Sequence, residues 1–321
     1  MDSEPRVSVT IIFLNEERFL RDAVESIFAQ TYDAWELLLV DDGSTDRSTE
    51  IARLYAVQNP GKVSYLEHEG HQNRGMSASR NLGIRNSKGE FIARLDADDV
   101  CLPNTLEEQV ALMDSHPEAG MVYGPAQMWY GWTGNTEDAE HDGIQKLSIP
   151  PHTLIKPPIV LARFLRDEGD EPFGMLVRRE VMESIGGYDE VVTSVYEDQA
   201  LNVKVCLRYP VITSDKSWFK YRQHPKSYCS VARKTGQYES KRMLFYNWAA
   251  EYLSKHNIED PDVWEALNYA MEQQRGRLSQ QPDSPPPHRL KALIKLVARQ
   301  TLPISVRRWL RKQYSTRFAR N

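Results

Sequence analysis

Short apolar runs alternate with helix-like segments along the first part of the chain, and this alternation limits the fold more than any other feature. Each run has the length and composition of a buried strand, whereas the segments between them repeat apolar residues at helical spacing. The runs are residues 7–13, 35–40, 63–66 and 91–95, and the helical segments are 15–30, 46–55 and 77–86. Strands that alternate with helices are joined by right-handed crossovers, which predicts a mostly parallel sheet in an α/β fold.

Polar residues cluster where the predicted strands end, which is where open α/β sheets bind ligands. The run 91–95 leads into Asp96, Asp98 and Asp99, three carboxylates within four positions. Like charges this close repel each other at the end of a buried strand, and a divalent cation removes that repulsion. Because Mg²⁺ and Mn²⁺ take oxygen ligands and Mg²⁺ often uses substrate phosphates as well, the cluster predicts a metal–phosphate site.

Two further segments contain residue types that suit a nucleotide. Asp42 follows the second predicted strand, and its carboxylate can accept a hydrogen bond from N3–H of uracil or thymine. The alternative is that Asp42 only caps the next helix. Arg80 lies among small and polar residues, where it can neutralise a diphosphate; the alternative is a solvated arginine on a surface helix.

Candidates for catalysis and metal binding lie further along the chain. Glu197 and Asp198 open a helix predicted over 197–207, where a carboxylate can act as a general base. Acidic residues in a first helical turn are also ordinary, because they complement the helix dipole. His224 lies in a basic cluster and can ligate a metal or hold a leaving diphosphate, although a single histidine is more often structural.

Composition predicts a cytoplasmic protein with a basic C-terminal tail. The 321 residues include three scattered cysteines, no apolar run that could span a bilayer and no signal sequence at the N-terminus. From Arg289 onward there are ten Lys or Arg and no acid, which leaves 30 basic against 45 acidic residues elsewhere. Apolar residues at helical spacing in this tail predict an interfacial helix on anionic lipid, or alternatively a basic helix docked on the acidic body. The acidic body argues against specific nucleic-acid binding.

Taken together, the motifs resemble those of the family-2 glycosyltransferases in order and approximate spacing over roughly residues 6–230. They are VSVTIIFLNE from Val7, LVDDGS ending at Ser44, NRG…RN from Asn73 to Asn81, DADD from Asp96, RRE…GGYD from Arg178, and ED at Glu197. The resemblance implies a GT-A fold, a nucleotide-sugar donor, a divalent metal (Mn²⁺ or Mg²⁺) and inverting transfer.

The resemblance also implies roles for single residues. It places Asp42 at the base, Asp96 near the ribose, Asp98 on the metal and Asp198 as the catalytic base. Asn15, Arg80 and Glu197 are interpreted as further substrate-binding residues. His224, in Arg222-Gln-His224, resembles the histidine near the diphosphate in non-processive members, and we interpret it as a second metal ligand.

An irregular, Pro-rich stretch over 129–171 is expected to contain acceptor contacts or a lid. Trp129 and Trp132 within it can stack on an acceptor sugar, or they can form a packed edge of the core. The predicted organisation is a GT-A domain over 1–236, a helical extension over 237–279, a Pro-rich linker over 280–287 and a basic amphipathic tail over 288–321.

The predicted function is transfer of a sugar from a nucleotide sugar, with UDP favoured, to a saccharide or lipid-linked acceptor. Two other classes stay open at this point. A nucleotidyltransferase also uses a metal and carboxylates, but the Gly-rich phosphate loop it usually has is missing after the first strand. A non-catalytic GT-A-like binding module would not need Asp42, Asp96, Asp98 and Asp198 together.

Overall fold

The structure is a computed structural model, and it describes residues 4–192 and 195–279. Its strands are β1 (Val7–Phe13), β2 (Trp35–Asp41), β3 (Val63–Glu67), β4 (Phe91–Asp96), β5 (Val100–Cys101), β6 (Met121–Gly124), β7 (Gln127–Trp129), β8 (Gly143–Ile144), β9 (Leu154–Ile155), β10 (Phe173–Arg178), β11 (Val211–Thr213) and β12 (Phe219–Arg222). Its helices are α1 (Leu20–Phe28), α2 (Ser48–Gln58), α3 (Met76–Asn86), α4 (Thr105–Ser115), α5 (Thr136–Ala139), α6 (Ile159–Leu165), α7 (Arg179–Ser184), α8 (Glu197–Cys206), α9 (Tyr228–Lys234), α10 (Tyr238–Lys255) and α11 (Pro261–Ser279).

The strands form one large sheet and one small sheet. The large sheet has eight strands in the order β3-β2-β1-β4-β10-β6-β11-β9, and the small sheet has four in the order β5-β12-β7-β8. The first four strands of the large sheet are parallel, whereas β10 runs antiparallel between β4 and β6. This arrangement, with helices flanking the sheet, confirms the predicted α/β fold and its helical C-terminal region.

The strand register gathers the predicted site at one edge of the large sheet. Phe13 at the end of β1 lies opposite Asp41 at the end of β2, and Ile12 lies opposite Asp96 at the end of β4. Because these strands are parallel, their carboxyl ends meet at the same edge. The loops that follow β1, β2 and β4 therefore lie side by side.

Alternating strand residues divide the core into two clusters on the two faces of the sheet. Ile92 and Met121 belong to one cluster, which α6, α8, α10 and α11 help to form. Ala93 and Val122 belong to the other cluster, to which α1, α2 and α4 contribute. Residues of α10 and α11 thus share a core with the central sheet, and the boundary expected at residue 236 stays a prediction.

Two local expectations differ from the structure. The first helix begins at Leu20 instead of residue 15, because Asn15 adopts a left-handed φ of 59°. The stretch 129–171, expected to be irregular, contains α6, whose apolar side chains after Ile159 are buried in the core. This helix is only seven residues long and follows two prolines, so the sequence gives little helical periodicity by which to recognise it.

The predicted linker over 280–287 and basic tail over 288–321 lie outside the described residues. Within residues 4–192 and 195–279, no helix has both the length and the apolar character needed to cross a lipid bilayer.

Candidate active site

The turn after β4 places Asp98 beside His224. His224 Nε2 and Asp98 Oδ2 lie 2.9 Å apart, although the two residues are separated by 126 positions in the chain. The neighbouring Asp99 is buried and accepts a hydrogen bond of 2.8 Å from the main-chain N–H of Arg222. The structure therefore brings together the two residues that the sequence predicted as metal ligands.

Two arginines connect the end of β4 to the start of α8. Arg80 Nη2 donates to Asp96 Oδ1 at 2.8 Å and to Glu197 Oε1 at 3.2 Å. Arg94, which precedes Asp96 in β4, donates to Asp198 Oδ2 at 3.2 Å. Arg80 thus joins Asp96 to Glu197, and Arg94 of the same strand as Asp96 separately pairs with the predicted base Asp198.

Arg80 is a buried cation and not the solvated surface arginine that was one expectation. Its exposed fraction is 3%. Its Nε and Nη1 atoms find no hydrogen-bond partner among the described residues. A diphosphate contact by Arg80 stays a prediction, because its Nη2 atom is already shared between Asp96 and Glu197.

Of the two acids that open α8, Asp198 is the more accessible. The side chain of Asp198 is 21% exposed, whereas that of Glu197 is 6% exposed. The main-chain N–H of Gln199 donates to Asp198 Oδ1 at 2.7 Å and, with Arg94, fixes the orientation of the carboxylate. An acceptor hydroxyl can therefore reach Asp198 more easily than Glu197.

Burial and mutual repulsion shift the pKa values of several acids at this edge. Burial, followed by the charges of Asp98, Asp46 and Asp96, raises the pKa of Glu16 to about 7. Burial and the same neighbours Asp98 and Asp96 raise the pKa of Asp99 well above its ordinary value. The edge therefore has an excess of negative charge that a cation would relieve.

Arginine partners have the opposite effect on Asp96. Burial alone would raise its pKa, but the charges of Arg80 and Arg94 outweigh burial and lower it. For Glu197, burial and then the adjacent Asp198 raise the pKa from 4.5 to about 7, despite the two arginines.

The raised pKa of Glu197 predicts a pH-dependent loss of stability. Folded Glu197 keeps its proton to a higher pH than the unfolded chain does, so its contribution weakens between pH 4.5 and about 7. In Glu197→Gln this loss is absent, and we expect the unfolding free energy of the variant relative to the parent to rise by about 3 kcal/mol over that range. Urea unfolding at both pH values measures this difference. The exposed Glu183→Gln is the control, because its unfolding free energy relative to the parent should not change over this pH range. If the value for Glu197→Gln does not change with pH either, the raised pKa of Glu197 is contradicted.

On the nucleotide side, Asp42 is buried and holds the loop that follows β3. Its Oδ1 accepts hydrogen bonds from the main-chain N–H groups of Arg74 and Gly75 and from Ser79 Oγ. Its Oδ2 accepts one from Gly75 at 3.0 Å. Asp42 therefore does not cap the next helix, and Oδ2 retains a lone pair for a base N–H. The base contact itself stays a prediction.

A glycine permits the close approach of the two loops in this region. Gly43 has a φ of +87°, and a Cβ there would lie 2.8 Å from the main-chain nitrogen of Asn73. Any larger residue would push the loop after β2 away from the loop that Asp42 holds.

Asn15 connects the ends of β1 and β2. Its Oδ1 accepts a hydrogen bond of 2.7 Å from the main-chain N–H of Thr45, and its own N–H donates to Ser44 Oγ at 3.1 Å. The substrate contact predicted for Asn15 remains a prediction, since its side-chain oxygen is used within the protein.

Trp129 and Trp132 pack against the side chain of Arg222, which lies two positions before His224 in the chain. The guanidinium of Arg222 lies 4.6 Å from the ring centre of Trp129 and 5.5 Å from that of Trp132. Trp132 Nε1 also donates to the carbonyl of Gln223 at 2.8 Å. These contacts lie within the protein, and both expectations, a packed edge of the core and stacking on an acceptor sugar, stay predictions.

Sequence reasoning missed three residues at the site. Arg94 precedes Asp96 by two positions and so lies on the same face of β4, a signal that was available. Glu16 directly follows Asn15 at the end of β1. Glu171 had no signal in its irregular surroundings; it accepts a hydrogen bond from Gln199, and burial followed by the charge of Asp198 raises its pKa to about 8.

A divalent cation fits the donor atoms of this edge. The 2.9 Å between Asp98 Oδ2 and His224 Nε2 matches a hydrogen bond. An octahedral ion with ligands at about 2.0–2.1 Å also separates neighbouring ligand atoms by about 2.9 Å. In the part of the chain that the structure describes, no three His, Cys, Asp or Glu side chains are arranged to hold a metal ion by themselves. Two protein ligands are compatible with such an ion, which usually keeps several waters and can add substrate phosphates.

The large sheet with its flanking helices defines the fold as GT-A. Two solved structures share the fold. TarS of S. aureus (residues 1–349) superposes with a TM-score of 0.56 at 18% identity, over 84% of this chain and 71% of that one. Mannosyltransferase PcManGT from Pyrobaculum calidifontis, in complex with GDP-Man and Mn²⁺, superposes with a TM-score of 0.55 at 19% identity, over 96% and 83%.

The chain belongs to glycosyl transferase family 2, because the model of that family matches residues 8–185, more than half of its length. Membership of this family agrees with the resemblance found in its motifs and favours glycosyl transfer over nucleotidyl transfer.

Named relatives support the same family. Glycosyltransferase GlyG of Streptococcus pneumoniae serotype 4 is 38% identical over 121 residues, which are 36% of this chain and 39% of GlyG. EpsE of Bacillus subtilis is 40% identical over 116 residues, which are 36% of this chain and 41% of EpsE. A glycosyltransferase of Nostoc sp. is 26% identical over 255 residues, or 78% of this chain and 74% of the relative. The matches thus span less than half of GlyG and of EpsE.

Proposed function

We propose that this glycosyltransferase is metal-dependent and inverting, and that it moves a sugar from a nucleotide sugar, with UDP favoured, to a hydroxyl of a saccharide or lipid-linked acceptor. One observation carries the proposal. Arg94 pairs with Asp198, and the same strand leads to Asp96 and to the Asp98–His224 pair. These contacts support a proton acceptor and a cation site at one edge of one sheet.

Within this proposal, Asp98 and His224 hold Mn²⁺ or Mg²⁺. The cation supplies positive charge that stabilises the donor diphosphate as it leaves, an effect typically worth several kcal/mol. Structural relatives support this use of the site, since PcManGT was solved with Mn²⁺ and a sugar nucleotide.

Asp198 acts on the acceptor. Its carboxylate takes the proton from the acceptor hydroxyl while that oxygen bonds to the anomeric carbon and the bond from that carbon to the diphosphate breaks. Because there is one displacement from the face opposite the leaving group, the anomeric configuration inverts. Arg94 and the N–H of Gln199 keep the carboxylate oriented toward the acceptor.

Asp42 favours a donor base with an imide N–H. Uracil and thymine have this donor at N3 and cytosine does not, whereas guanine has a comparable N1–H. TarS was also solved in complex with UDP-GlcNAc, at a TM-score of 0.53 to this chain.

A panel of nucleotide sugars tests the donor. We expect UDP-sugars with Mn²⁺ to raise the melting temperature most, dTDP- and GDP-sugars less, and CMP-sugars not at all. The anomeric configuration of the product, read by NMR, tests inversion in the same preparation. A largest shift from CMP-sugars, or retention at the anomeric carbon, would contradict the proposal.

We further propose that the basic tail brings the enzyme to anionic membrane, where lipid-linked acceptors reside. Tail residues 288–321 have ten basic side chains and no acid. Such a segment gains about 1 kcal/mol per Lys or Arg near an anionic surface. Flotation with vesicles of phosphatidylglycerol should therefore recover the full chain but not a chain truncated after Pro287. Equal recovery of both would remove the membrane proposal.

A further inference from the structure

Arg222 is a buried cation that the proposed chemistry does not use. It ends β12, and its exposed fraction is 3%. Its Nε donates to the main-chain oxygen of Asp98 at 2.7 Å, and its main-chain N–H donates to Asp99 Oδ1 at 2.8 Å. Its Nη2 donates to Asp22 Oδ2 at 2.9 Å. Arg222 therefore holds the turn that carries Asp98 through two separate hydrogen bonds.

Three rings surround the guanidinium and form an aromatic cage (Phe19, Trp129 and Trp132). The guanidinium carbon lies 4.4 Å from the ring centre of Phe19, 4.6 Å from that of Trp129 and 5.5 Å from that of Trp132. A planar guanidinium stacks on aromatic faces while its N–H groups point outward to acceptors. The cage thus fixes the plane of Arg222, and with it the direction of the hydrogen bond to Asp98.

The same cage also restrains His224. Trp132 Nε1 donates to the carbonyl of Gln223 at 2.8 Å, and the N–H of Gln223 donates to the carbonyl of Trp129 at 3.0 Å. The ring of Phe19 lies 4.9 Å from that of His224, centre to centre. Both residues of the Asp98–His224 pair are therefore held by one set of side chains.

We infer that Arg222 and its aromatic cage position the cation site: they keep Asp98, which follows the large sheet, within ligand distance of His224, which follows the small sheet. This inference rests on the proposed metal dependence. It gives Trp129 and Trp132 a role in metal binding through Arg222, in place of direct contact with the acceptor. Groups that orient the ligands of a metal commonly change its affinity by about 10–100-fold when they are altered.

Titration of the protein with Mn²⁺ alone, followed by the EPR signal of free Mn²⁺, tests the inference without turnover. Arg222→Lys keeps the charge but cannot reach Asp98 and Asp22 together, and we expect its Kd for Mn²⁺ to rise about 10–100-fold. Trp132→Phe keeps a ring beside Arg222 but loses the hydrogen bond to Gln223, and we expect a rise of about 2–10-fold.

Two further variants distinguish an error in the proposed metal site from an error in the inference about Arg222. Arg6→Lys alters another arginine that lies over a ring and pairs with two carboxylates, at the opposite end of β1, and should leave the Kd unchanged. If Mn²⁺ binding by the parent survives Asp98→Ala, the proposed metal site is wrong and the inference falls with it. If Asp98→Ala abolishes binding while folded Arg222→Lys and Trp132→Phe keep the Kd of the parent, only the inference is wrong. Should Arg222→Lys fail to fold, the Kd of Trp132→Phe decides.

Discussion

Asp198→Asn is expected to lower kcat by about 10²–10⁴-fold, the usual contribution of a general base. The amide cannot take the proton of the acceptor hydroxyl, so the attacking oxygen stays a poor nucleophile. Donor affinity should stay close to that of the parent, because the proposed role of Asp198 concerns the acceptor, and its hydrogen-bond partners among the described residues are Arg94 and Gln199. Steady-state turnover and donor binding by calorimetry measure the two effects separately.

Glu183→Gln is the matched control for this prediction. Glu183 is an acid in α7, the helix that precedes α8, but its side chain is 58% exposed and pairs with Arg179 on the surface. Its replacement should leave kcat unchanged. Normal turnover by Asp198→Asn would remove Asp198 from the mechanism and would direct attention to the half-buried Glu171, which lies beside it.

Asp98→Ala is expected to abolish the effect of the metal on donor binding and to lower turnover by about 10²–10³-fold. The predicted metal ligand is then missing, and His224 is left without its partner at 2.9 Å. Donor affinity of the variant in Mn²⁺ should fall to that of the parent in EDTA. Calorimetric titration of parent and variant with UDP, each with Mn²⁺ and with EDTA, measures this.

Asp215→Ala serves as the control for Asp98→Ala. The side chain of Asp215 is 58% exposed, and its carboxylate lies 3.8 Å from Nε2 of the exposed His152. Its replacement should preserve the difference between Mn²⁺ and EDTA. A variant at Asp98 that keeps the same difference would show that the metal, if used, binds elsewhere.

Much of the fold and the position of the site could be predicted from the sequence. Strands such as β1 and β4 are rich in apolar residues and largely buried on both faces, and such segments are distinctive. Because parallel strands place their carboxyl ends together, Asp42, Asp96 and Asp98 could be assigned to one edge before any coordinates were considered.

The parts of the site that could not be predicted from the sequence depend on contacts between segments that are far apart in the chain. Arg80 was predicted to contact a diphosphate or, alternatively, to lie on a helix surface, and only its contacts with distant residues show that Asp96 and Glu197 share it. The aromatic cage of Arg222 draws its rings from two separate stretches of the chain, and no local pattern reveals such a convergence. Glu171 is likewise defined only by its contact with Gln199.

The helices of the C-terminal region show another limit of prediction from the sequence. Their existence could be predicted from helical spacing, but their attachment could not. Residues of α10 and α11 belong to the same core cluster as Met121 of the central sheet. A domain boundary drawn from composition alone therefore does not indicate how strongly the two parts are packed together.

The most direct test is a crystal of the protein with Mn²⁺ and UDP, examined by anomalous diffraction at the manganese edge. We expect a single strong peak about 2.0–2.2 Å from Asp98 Oδ2, close to His224 and in contact with both phosphates. Manganese bound elsewhere, with the carboxylates that follow β4 directed toward bulk water, would contradict the account.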